Sequence, residues 1–567
     1  MGKTTVANYL LTRLAELGVE SVFGVPGDYN LAFLDEFDKH KEINWVGCAN
    51  ELNAAYAADG YARVKKGVAA LVTTFGVGEL SAINGVAGAY SEHVPVAHIV
   101  GTPSTSAQKS GALLHHTLGN GDFSVFANMS KSISAATTNL SDPHTAPTEI
   151  DRVLAACFVQ AHPVYIGLPT DMAYKEIDDT LLQKPLDLSI PQNDAEVEDY
   201  LVKEITALVH AAKKAIILVD ACAIRHRVLD EVHALIKATQ FPVFCTPMGK
   251  SAVDETHPLF GGIYIGTITQ PHIQEAVESA DLVLSIGALK SDFNTGSFSY
   301  HINKQAVVEF HSDKTQIKYA TYPDIGMQPL LKRLATSIDV KQCAKGNVPT
   351  FENKVPAEAQ EGPVIKQDWF WPTLGKTFIK SGDVIVSETG TSNFGLIDTQ
   401  FPDNVIAVNQ VLWGSIGYSV GATLGAALAA KELGRRCMLF VGDGSLQLTV
   451  QEISTMIRHG LKPILFVLNN EGYTIERAIH GPDAAYNDIN TGWQYQNLLT
   501  FFGCASEHQA SYKVATKDDV VALLKDEKFC QADKIQLVEV IMEKMDTPRA
   551  LKRQAQLTSE ANEKSDT

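Results

Sequence analysis

Short apolar runs alternate with stretches of helical periodicity along almost the whole chain. Most of the runs are apolar on both faces, which is typical of strands that are covered by helices on each side. The clearest predicted strands are Val96–Val100, Val164–Leu168, Ala215–Val219, Leu282–Ile286, Val384–Ser387, Cys437–Val441, Pro463–Leu468 and Ile535–Ile541. This alternation predicts the α/β class, with open and mainly parallel sheets.

Two polar segments that contain prolines interrupt this pattern. Lys175–Glu198 and Gln342–Gln367 have no long periodic run, and we interpret both as linkers. A chain of 567 residues needs several hydrophobic cores, at about 100–200 residues per domain. We therefore expect three α/β domains, at residues 1–185, 190–350 and 360–567. The charged tail after Thr547 is either mobile or lies over a site.

The N-terminal residues predict a helix of the fold and not a cleaved leader. Val6, Leu10, Leu14 and Leu17 recur at helical spacing, and the strand-like run Val19–Phe23 follows directly. No run of eighteen strongly apolar residues predicts a membrane span. The eight cysteines are scattered without a CxxC pair, which is typical of reduced thiols in a cytoplasmic protein.

The charge balance argues against nucleic acid as a partner. The chain has 47 Lys and Arg against 65 Asp and Glu, a formal net charge of −18. Nucleic-acid binding requires a basic face to displace counterions, so the balance argues against it, although a local basic patch is still compatible with the average. A hydrophobic content of 45% excludes wholesale disorder.

Polar clusters follow two neighbouring strands of the third predicted domain. Gly442–Ser445 and Asn469–Gly472 each come after a strand, with a predicted helix from Leu446 to His459 between them. Open α/β sheets bind ligands at the carboxyl ends of their strands, so the clusters should lie close together. Asp443 and Asn470 offer oxygen ligands suited to Mg²⁺ or Ca²⁺. Glycines allow backbone amides to approach a phosphate, so the pattern predicts a diphosphate held through a divalent metal.

The same clusters carry a resemblance to a known family. A GDG motif followed by NN is similar to the signature of thiamine diphosphate enzymes, and the whole chain resembles the fungal pyruvate decarboxylases. The first and third domains match best, in the segments Gly24–Asn30, Glu51–Gly60, Leu113–Thr117, Glu388–Thr391, Leu412–Gly417 and Asn470–Glu476. The resemblance implies a pyrimidine-binding, a central and a diphosphate-binding domain, and thiamine diphosphate with Mg²⁺ as cofactors.

The resemblance also implies which residues bind the cofactor. Asp443, Asn470 and the carbonyl of Gly472 would be the metal ligands. Glu51 would hydrogen-bond the aminopyrimidine, although without the resemblance a first-turn glutamate favoured by the helix dipole is the better interpretation. The implied cofactor-binding residues are Glu51, Thr391, Gly414, Ser415, Ile416, Asp443, Gly444, Ser445, Asn470, Gly472 and Ile475, with Ile416 as an apolar wedge beneath the bent cofactor.

A second implied set would transfer protons. Considered singly, Asp28 is a turn residue, and the histidine pair lies in a solvated loop. Their joint match to one family changes this interpretation, because decarboxylation requires several proton transfers that imidazoles and tuned carboxyls can carry near neutral pH. The implied catalytic residues are Asp28, Glu51, His115, His116 and Glu476, and their order of action stays open.

Local context also matches a pocket wall and an activation site. The implied substrate pocket consists of Phe293, Thr389, Asn393, Ile475 and Ile479. Bulky side chains there would confine the acyl group to something like methyl. Cys222 resembles a cysteine linked to substrate activation in some fungal members, with His93 toward the relay. A buried, inert thiol is the default interpretation of Cys222.

The expected activity is the non-oxidative decarboxylation of pyruvate to acetaldehyde and CO₂ through the ylide of thiamine diphosphate, as in fermentation. One alternative is a decarboxylase that prefers aromatic or branched 2-oxo acids, and another is a catalytically silent regulator that binds the cofactor. The resemblance implies a site shared between two chains. We therefore expect a homodimer at minimum and a homotetramer as a dimer of dimers, without nucleic-acid or membrane partners.

Overall fold

The computed structural model describes residues 2–565 of the chain. It contains three large sheets, each built from one continuous stretch of sequence. Nearly all strand pairs are parallel and helices lie between the strands, which confirms the predicted α/β class.

A six-stranded sheet and a two-stranded ribbon form the first unit. Its strands are β1 (Lys3–Thr5), β2 (Ser21–Gly24), β3 (Asn44–Gly47), β4 (Ala69–Thr74), β5 (Val96–Thr102), β6 (Thr137–Asn139), β7 (Val164–Pro169) and β8 (Glu176–Asp178). Its helices are α1 (Val6–Glu16), α2 (Leu31–Leu34), α3 (Glu51–Lys65), α4 (Val77–Ser91), α5 (Thr105–Ser110), α6 (Val125–Lys131) and α7 (Ala146–Gln160). The sheet is parallel, in the order β3-β2-β4-β5-β7-β6, whereas β1 and β8 pair antiparallel.

A seven-stranded sheet forms the second unit. Its strands are β9 (Ala215–Val219), β10 (Val243–Cys245), β11 (Phe260–Ile263), β12 (Leu282–Ile286), β13 (Val307–Phe310), β14 (Lys314–Ile317) and β15 (Ala320–Pro323). Its helices are α8 (Ala195–Ala211), α9 (Ala221–Arg225), α10 (Leu229–Thr239), α11 (Pro271–Glu278), α12 (Asp292–Thr295) and α13 (Met327–Ser337). The order is β11-β10-β9-β12-β13-β14-β15, and only the β13-β14-β15 edge is antiparallel.

The third unit is again a parallel six-stranded sheet, in the order β17-β16-β18-β19-β21-β20. Its strands are β16 (Val384–Ser387), β17 (Ile406–Val408), β18 (Cys437–Gly442), β19 (Ile464–Asn469), β20 (Gln509–Val514) and β21 (Ile535–Ile541). Its helices are α14 (Ala357–Gln360), α15 (Gln367–Thr377), α16 (Thr391–Ile397), α17 (Tyr418–Glu432), α18 (Asp443–Thr449), α19 (Glu452–Arg458), α20 (Thr474–His480), α21 (Leu498–Phe501), α22 (Lys517–Lys525), α23 (Glu527–Gln531) and α24 (Arg549–Ser565). Short 3₁₀ helices elsewhere span Thr180–Gln183, Lys304–Ala306, Val340–Gln342, Ala485–Asn487, Tyr495–Asn497 and Ser506–His508.

The first and third sheets share one topology. Numbering the six strands of each sheet along the chain gives the order 2-1-3-4-6-5 in both cases. In such sheets the connections leave in opposite directions on either side of the first strand, which opens a crevice at its carboxyl end. The crevice lies between β2 and β4 in one sheet and between β16 and β18 in the other, so both sheets offer a ligand site at the corresponding place.

Helices α3 and α17 join these two units into one core. Small residues bring the two backbones together, because a β-carbon on Gly425 would lie 1.8 Å from the carbonyl oxygen of Ala57. Similarly, a β-carbon on Gly60 would lie 2.2 Å from the carbonyl oxygen of Ala422. Side chains from both sheets pack into the same apolar cluster around this contact.

The structure agrees with the predicted strands more closely than with the predicted helix and linkers. Four strands have the predicted bounds: Ala215–Val219, Leu282–Ile286, Val384–Ser387 and Ile535–Ile541. The predicted helix from Leu446 to His459 is wrong, since α18 begins at Asp443 and a turn separates it from α19. The turn allows the Thr449 hydroxyl to donate to the Gly417 carbonyl while the buried Glu452 accepts from the Ala49 amide.

The predicted linkers are also partly wrong. Lys175–Glu198 contains β8 and the first turn of α8, which Asp194 caps by accepting from the amides of Glu196 and Val197. The pairing partner of β8 is β1, about 170 residues earlier, so no local pattern reveals it. Gln342–Gln367 contains α14.

The tail after Thr547 packs as a helix against the third unit and against the core of the second unit. It forms α24, whose Ala550, Leu551 and Ala555 are buried, and α24 packs against α16 and α20. Among residues 2–565, no helix combines the length and the apolar character needed to cross a membrane.

Candidate active site

Three oxygen-bearing groups meet where β18 and β19 end. One terminal atom of the Asn470 carboxamide lies 3.0 Å from the Gly472 carbonyl oxygen and 3.1 Å from Oδ1 of Asp443. If this atom is the amide nitrogen, it donates to both oxygens. If it is the amide oxygen, three acceptors converge without a donor, and only a cation placed among them makes the arrangement favourable.

A neighbouring hydroxyl indicates which orientation holds. The other terminal atom of the Asn470 carboxamide lies 2.9 Å from Oγ1 of Thr474. Thr474 donates its single hydroxyl proton to the Lys544 carbonyl at 2.9 Å, so toward Asn470 it can only accept. The amide nitrogen therefore faces Thr474, and the amide oxygen faces Asp443 and Gly472.

These separations fit a small divalent cation. Mg²⁺ takes oxygen ligands at 2.0–2.1 Å in octahedral geometry, so adjacent ligands are about 2.9 Å apart. Glu471 and Gly472 both have positive φ, at 60° and 119°, and this turn aims the Gly472 carbonyl at the other two ligands. A β-carbon on Gly472 would lie 2.5 Å from the Asn487 carbonyl oxygen, so glycine is required.

Asp443 is 1% exposed. Burial raises the pKa of its carboxyl to about 6, partly offset by the amides of Gly444 and Gly472, which donate to it. A bound divalent cation would favour the carboxylate again. The Gly444 backbone lies close to the Tyr473 ring, since a β-carbon on Gly444 would be 2.8 Å from a ring carbon. The next residue, Ser445, is also buried.

The loop before α17, residues 411–417, carries the predicted wedge Ile416, and we call it the wedge loop. Side chains of the first unit fix its position. One carboxylate oxygen of Glu92 accepts from the amides of Val411, Leu412 and Trp413, at 2.8–3.2 Å. The Trp413 indole donates to Oδ1 of Asn84 at 2.9 Å.

Ser415, two residues further along this loop, is also held from the first unit. Its hydroxyl lies 2.7 Å from the Tyr56 hydroxyl, and Asn84 donates to it at 3.2 Å. Its amide donates to Oε1 of Gln410. The half-buried Ile416 follows directly, so it stands on a loop with fixed neighbours.

Thr389, Thr391 and Gly414 flank the same loop. Thr389 donates its hydroxyl to the Gln410 carbonyl at 2.9 Å, and its methyl group lies 3.7 Å from the β-carbon position of Gly414. The buried Thr391 begins α16. Thr389 of the predicted pocket wall therefore lies next to the predicted cofactor-binding residue Gly414.

Several predicted residues of the first unit surround the end of β4. Glu51 is the first residue of α3, and its Oε1 lies 3.1 Å from the β-carbon position of Gly78. A β-carbon on Gly27, next to Asp28, would touch Thr74, the last residue of β4.

Asp28, His115 and His116 form one cluster. Oδ2 of Asp28 lies 2.6 Å from Nε2 of His115, and one ligand atom from each of the three residues lies within 4.8 Å of the others. The Tyr29 ring stacks on His115 with centroids 5.0 Å apart. The side chains of Asp28 and His115 are 46% and 58% exposed, so protons can exchange with a bound ligand or with water.

The predicted pocket wall comes from three stretches of the chain. Phe293, Thr389 and Asn393 line one narrow cleft together with Phe394 and Gln410. Ile475 and Ile479 lie one turn apart on α20, hence on the same face of the helix. Both Phe293 and Ile475 pack against the core of the second unit.

The predicted catalytic residues do not all contact one another within the described part of the chain. Within residues 2–565, no hydrogen bond or ion pair links the cluster of Asp28, His115 and His116 to the metal-site residues or to Glu476. Glu476 lies on α20, one residue beyond Ile475 and partly exposed.

Sequence reasoning did not assign several residues that shape the site. Glu92, Asn84 and Tyr56 hold the wedge loop, and only their burial and partners reveal this role. Arg477 is fully buried behind Gly472 and pairs with Asp488 at 2.9 Å. Glu388 directly follows β16, and burial raises the pKa of its carboxyl to about 7, although the Ser419 amide and hydroxyl both donate to it.

The predicted activation residues lie at the contact between the first and second units. Cys222 is buried on α9, and His93 follows α4. Burial raises the pKa of the Cys222 thiol to about 12 and lowers the pKa of His93 to about 3. The thiol is therefore protonated and His93 neutral at pH 7, and both lie next to His226.

Known proteins resemble the chain along its whole length. Residues 4–124, 202–338 and 388–540 match the N-terminal TPP binding domain, the central domain and the C-terminal TPP binding domain of thiamine pyrophosphate enzymes. A putative pyruvate decarboxylase of Schizosaccharomyces pombe is 54% identical over 99% of both chains. Pyruvate decarboxylase isozyme 1 of Saccharomyces cerevisiae is 52% identical over 100% of both.

A solved structure agrees with the fold. Benzoylformate decarboxylase from Polynucleobacter necessarius superposes with a TM-score of 0.77 over 96% of this chain and 99% of its own, at 21% identity. The three matched domains define a thiamine pyrophosphate enzyme, thiamine pyrophosphate being another name for thiamine diphosphate. Within that class, the chain belongs to the pyruvate decarboxylase family.

Proposed function

We propose that the protein converts pyruvate to acetaldehyde and CO₂ without oxidation, using thiamine diphosphate and Mg²⁺, as a fermentative decarboxylase. The observation that carries the proposal is the acid–base cluster of Asp28, His115 and His116 in the first unit. In the third unit of the same chain, oxygen atoms of Asp443, Asn470 and Gly472 converge at the ends of two strands. Identity above 50% to pyruvate decarboxylases supports the choice of reaction.

Asp443, Asn470 and the Gly472 carbonyl would hold Mg²⁺, and Gly444, Ser445 and the Ile475 amide would face the diphosphate. When bound, thiamine diphosphate supplies a nucleophilic carbon for the 2-oxo group and an electron sink for the loss of CO₂. The loop that Glu92, Asn84 and Tyr56 fix would present Ile416 and the Gly414 backbone to the cofactor in one defined position.

Glu51 would hydrogen-bond a ring nitrogen of the aminopyrimidine through its carboxyl. The small Gly78 leaves room beside this carboxyl. The first turn of α3 fixes the carboxyl's position, because Asn50 caps the helix by accepting from the Asn53 amide. We expect this residue to share a proton with the cofactor and not with the substrate.

Asp28, His115, His116 and Glu476 would move protons to and from the substrate oxygen and the carbon that loses CO₂. Asp28 is within hydrogen-bond reach of Nε2 of His115, so a proton can pass between them without a large movement. Phe293, Thr389, Asn393, Ile475 and Ile479 would bound the acyl group and favour a methyl substituent.

We propose a homodimer as the smallest active species, assembled further into a homotetramer. The lack of a contact between the histidine cluster and the metal site within the described chain supports a site shared between two copies. Exposed apolar side chains surround the cluster, including Leu113 at 81%, Leu118 at 59% and Val77 at 54%, which supports burial by another chain. The eight free cysteines support a cytoplasmic location.

A substrate panel tests the proposed reaction. We expect aldehyde and CO₂ from pyruvate with the highest kcat/KM, and lower values with 2-oxoisocaproate and phenylpyruvate. Asp443→Ala should abolish turnover. Asp483→Ala, which removes an exposed carboxylate of the third unit, should not. Preference for the branched or aromatic acid would overturn the substrate assignment, and no turnover of any acid would favour a silent regulator. A fully active monomer in light scattering would contradict the shared site.

A further inference from the structure

A second group of metal-binding side chains lies away from the proposed active site. His93 follows α4 in the first unit, whereas Cys222 and His226 lie four residues apart on and just after α9 in the second. One ring nitrogen from each histidine and Sγ of Cys222 all lie within 4.8 Å of one another. The sequence separates His93 from the other two by more than 120 residues, so the tertiary fold creates the group.

Each of the two histidines has a buried ring nitrogen without a hydrogen-bond partner. Nδ1 of His93 and Nε2 of His226 are buried without a hydrogen bond. Sγ of Cys222 has none within the described part of the chain either, although the residue is only 7% exposed. Buried polar atoms are normally satisfied, so an unsatisfied nitrogen on each of two rings that meet at one thiol points to a ligand.

The protonation states suit the binding of a metal. Burial is the largest cause that lowers the pKa of His93 to about 3 and that of His226 to about 4, so both rings are neutral, which is the ligating form. The thiol is protonated without a metal, because burial raises its pKa to about 12. A metal ion would displace this proton to solvent as the metal–sulfur bond forms, one proton per ion.

The surrounding charges are nearly balanced. Carboxylates of Asp220, Glu92 and Asp313 act on Cys222, while the guanidiniums of Arg225 and Arg227 lie near Cys222 and His226 respectively. Glu92 is itself 3.6 Å from the Arg63 guanidinium, so charges of both signs surround the group and neither sign excludes a cation.

We propose that His93, Cys222 and His226 form a site for a borderline or soft divalent transition metal, with Zn²⁺ as the natural fit, that ties the first unit to the second. Zn²⁺ binds thiolate at about 2.3 Å and imidazole at 2.0–2.1 Å, which places neighbouring tetrahedral ligands of this set about 3.3–3.6 Å apart. Small side-chain rotations would bring the present atoms to that spacing. Three protein ligands leave a fourth position for water or an added ligand.

His93 has the backbone conformation to hold its ring there. Its φ is +56°, in the left-handed region that non-glycine residues rarely adopt. The His162 ring, 4.3 Å away between centroids, packs against it on another side. Its orientation is therefore set by the fold before any ion arrives, which favours binding.

Cobalt provides a probe whose signal does not depend on catalysis. The holoenzyme, saturated with thiamine diphosphate and Mg²⁺, is titrated with Co²⁺ in the presence of a phosphine reductant. We expect one Co²⁺ per chain, a thiolate-to-cobalt charge-transfer band, release of one proton per ion, and loss of the band when Zn²⁺ is added. Cobalt at the oxygen site of Asp443 would give no thiolate band, so the two sites are distinguishable.

Three variants test the ligands. Cys222→Ala should abolish the band, and His226→Gln should weaken cobalt binding at least tenfold. Cys245→Ala, which removes another buried thiol of the second unit, should leave both unchanged. Zn²⁺ should raise the Tm of the wild type but not that of Cys222→Ala. Absence of the band in the wild type, or its persistence in Cys222→Ala, would overturn the proposal, whatever the outcome of the decarboxylase assay.

Discussion

Gly76 faces the carbonyl oxygen of His116 so closely that a β-carbon on the glycine would lie 2.1 Å from that oxygen. The φ of Gly76 is also +68°. This contact positions the backbone of the histidine pair against the start of α4.

Gly76→Ala should therefore displace His115 and His116. We expect kcat to fall at least about tenfold, since small misplacements of catalytic groups are costly. Affinity for Mg²⁺ should change less than threefold, because the proposed metal ligands lie on the third unit. Gly18→Ala is the matched control, because Gly18 also has positive φ, at 80°, but nothing lies within 4 Å of its β-carbon position. Equal losses of kcat in both variants would show that backbone strain alone is responsible.

Thr474→Val should weaken the binding of Mg²⁺, although Thr474 is not itself a proposed metal ligand. The change removes the acceptor that holds the Asn470 amide nitrogen, so the amide oxygen no longer has a fixed orientation. Groups that orient metal ligands typically contribute about 10–100-fold in affinity. Titrating the apo-enzyme with Mg²⁺ in the presence of the cofactor measures the effect. Thr474→Ser retains the hydroxyl and should restore most of the affinity; a serine variant as weak as valine would contradict the argument.

Tyr56→Phe should loosen the wedge loop. The variant loses the hydroxyl that contacts Ser415 and Asn84, at a cost of about 1 kcal/mol or roughly fivefold in cofactor affinity. Tyr61→Phe provides the comparison, because Tyr61 is a buried tyrosine on the same helix whose hydroxyl donates to Glu432 instead. Cofactor binding followed by tryptophan fluorescence should separate the two. A similar loss in both would mean that general destabilisation of α3 is the cause.

Glu79 should make stability depend on pH. Burial raises the pKa of its carboxyl from 4.5 to about 7, although Gly76 and Tyr165 donate to it. The protonated form is thus favoured in the folded protein, and the stability present below pH 4.5 is lost as the pH rises through 7. The shift corresponds to at most about 3 kcal/mol.

Glu79→Gln keeps the side chain neutral and can still accept from Gly76. We expect the Tm of the variant relative to the wild type to rise between pH 5.5 and pH 8.5. A constant difference in Tm over this range would show that Glu79 does not titrate with a raised pKa.

The sequence was informative where chemistry and local pattern coincide. Asp443 and Asn470 follow strands whose apolar runs are unmistakable, and the structure brings these residues together. The roles of Glu92 and Tyr56 depend on contacts with residues more than 300 positions away, which no local pattern encodes. The break between α18 and α19 likewise reflects tertiary contacts of Thr449 and Glu452, not helix propensity.

The common topology of the first and third sheets could not be predicted from the sequence either. No short repeat marks it in the sequence, because strand order depends on long-range pairing and not on residue identity. Asp28 lies four residues after β2 and Asp443 lies directly after β18, and each of these strands borders the crevice of its own sheet.

The contact of Gly425 with the Ala57 carbonyl has a mechanical consequence. Backbones that touch without intervening side chains cannot slide past each other, since any shift would drive atoms into overlap. Within this chain, the first and third units must then travel as a single rigid piece. Any widening of the proposed catalytic cleft has to arise from motion of the second unit against that piece or, in the proposed dimer, from rocking between its two subunits.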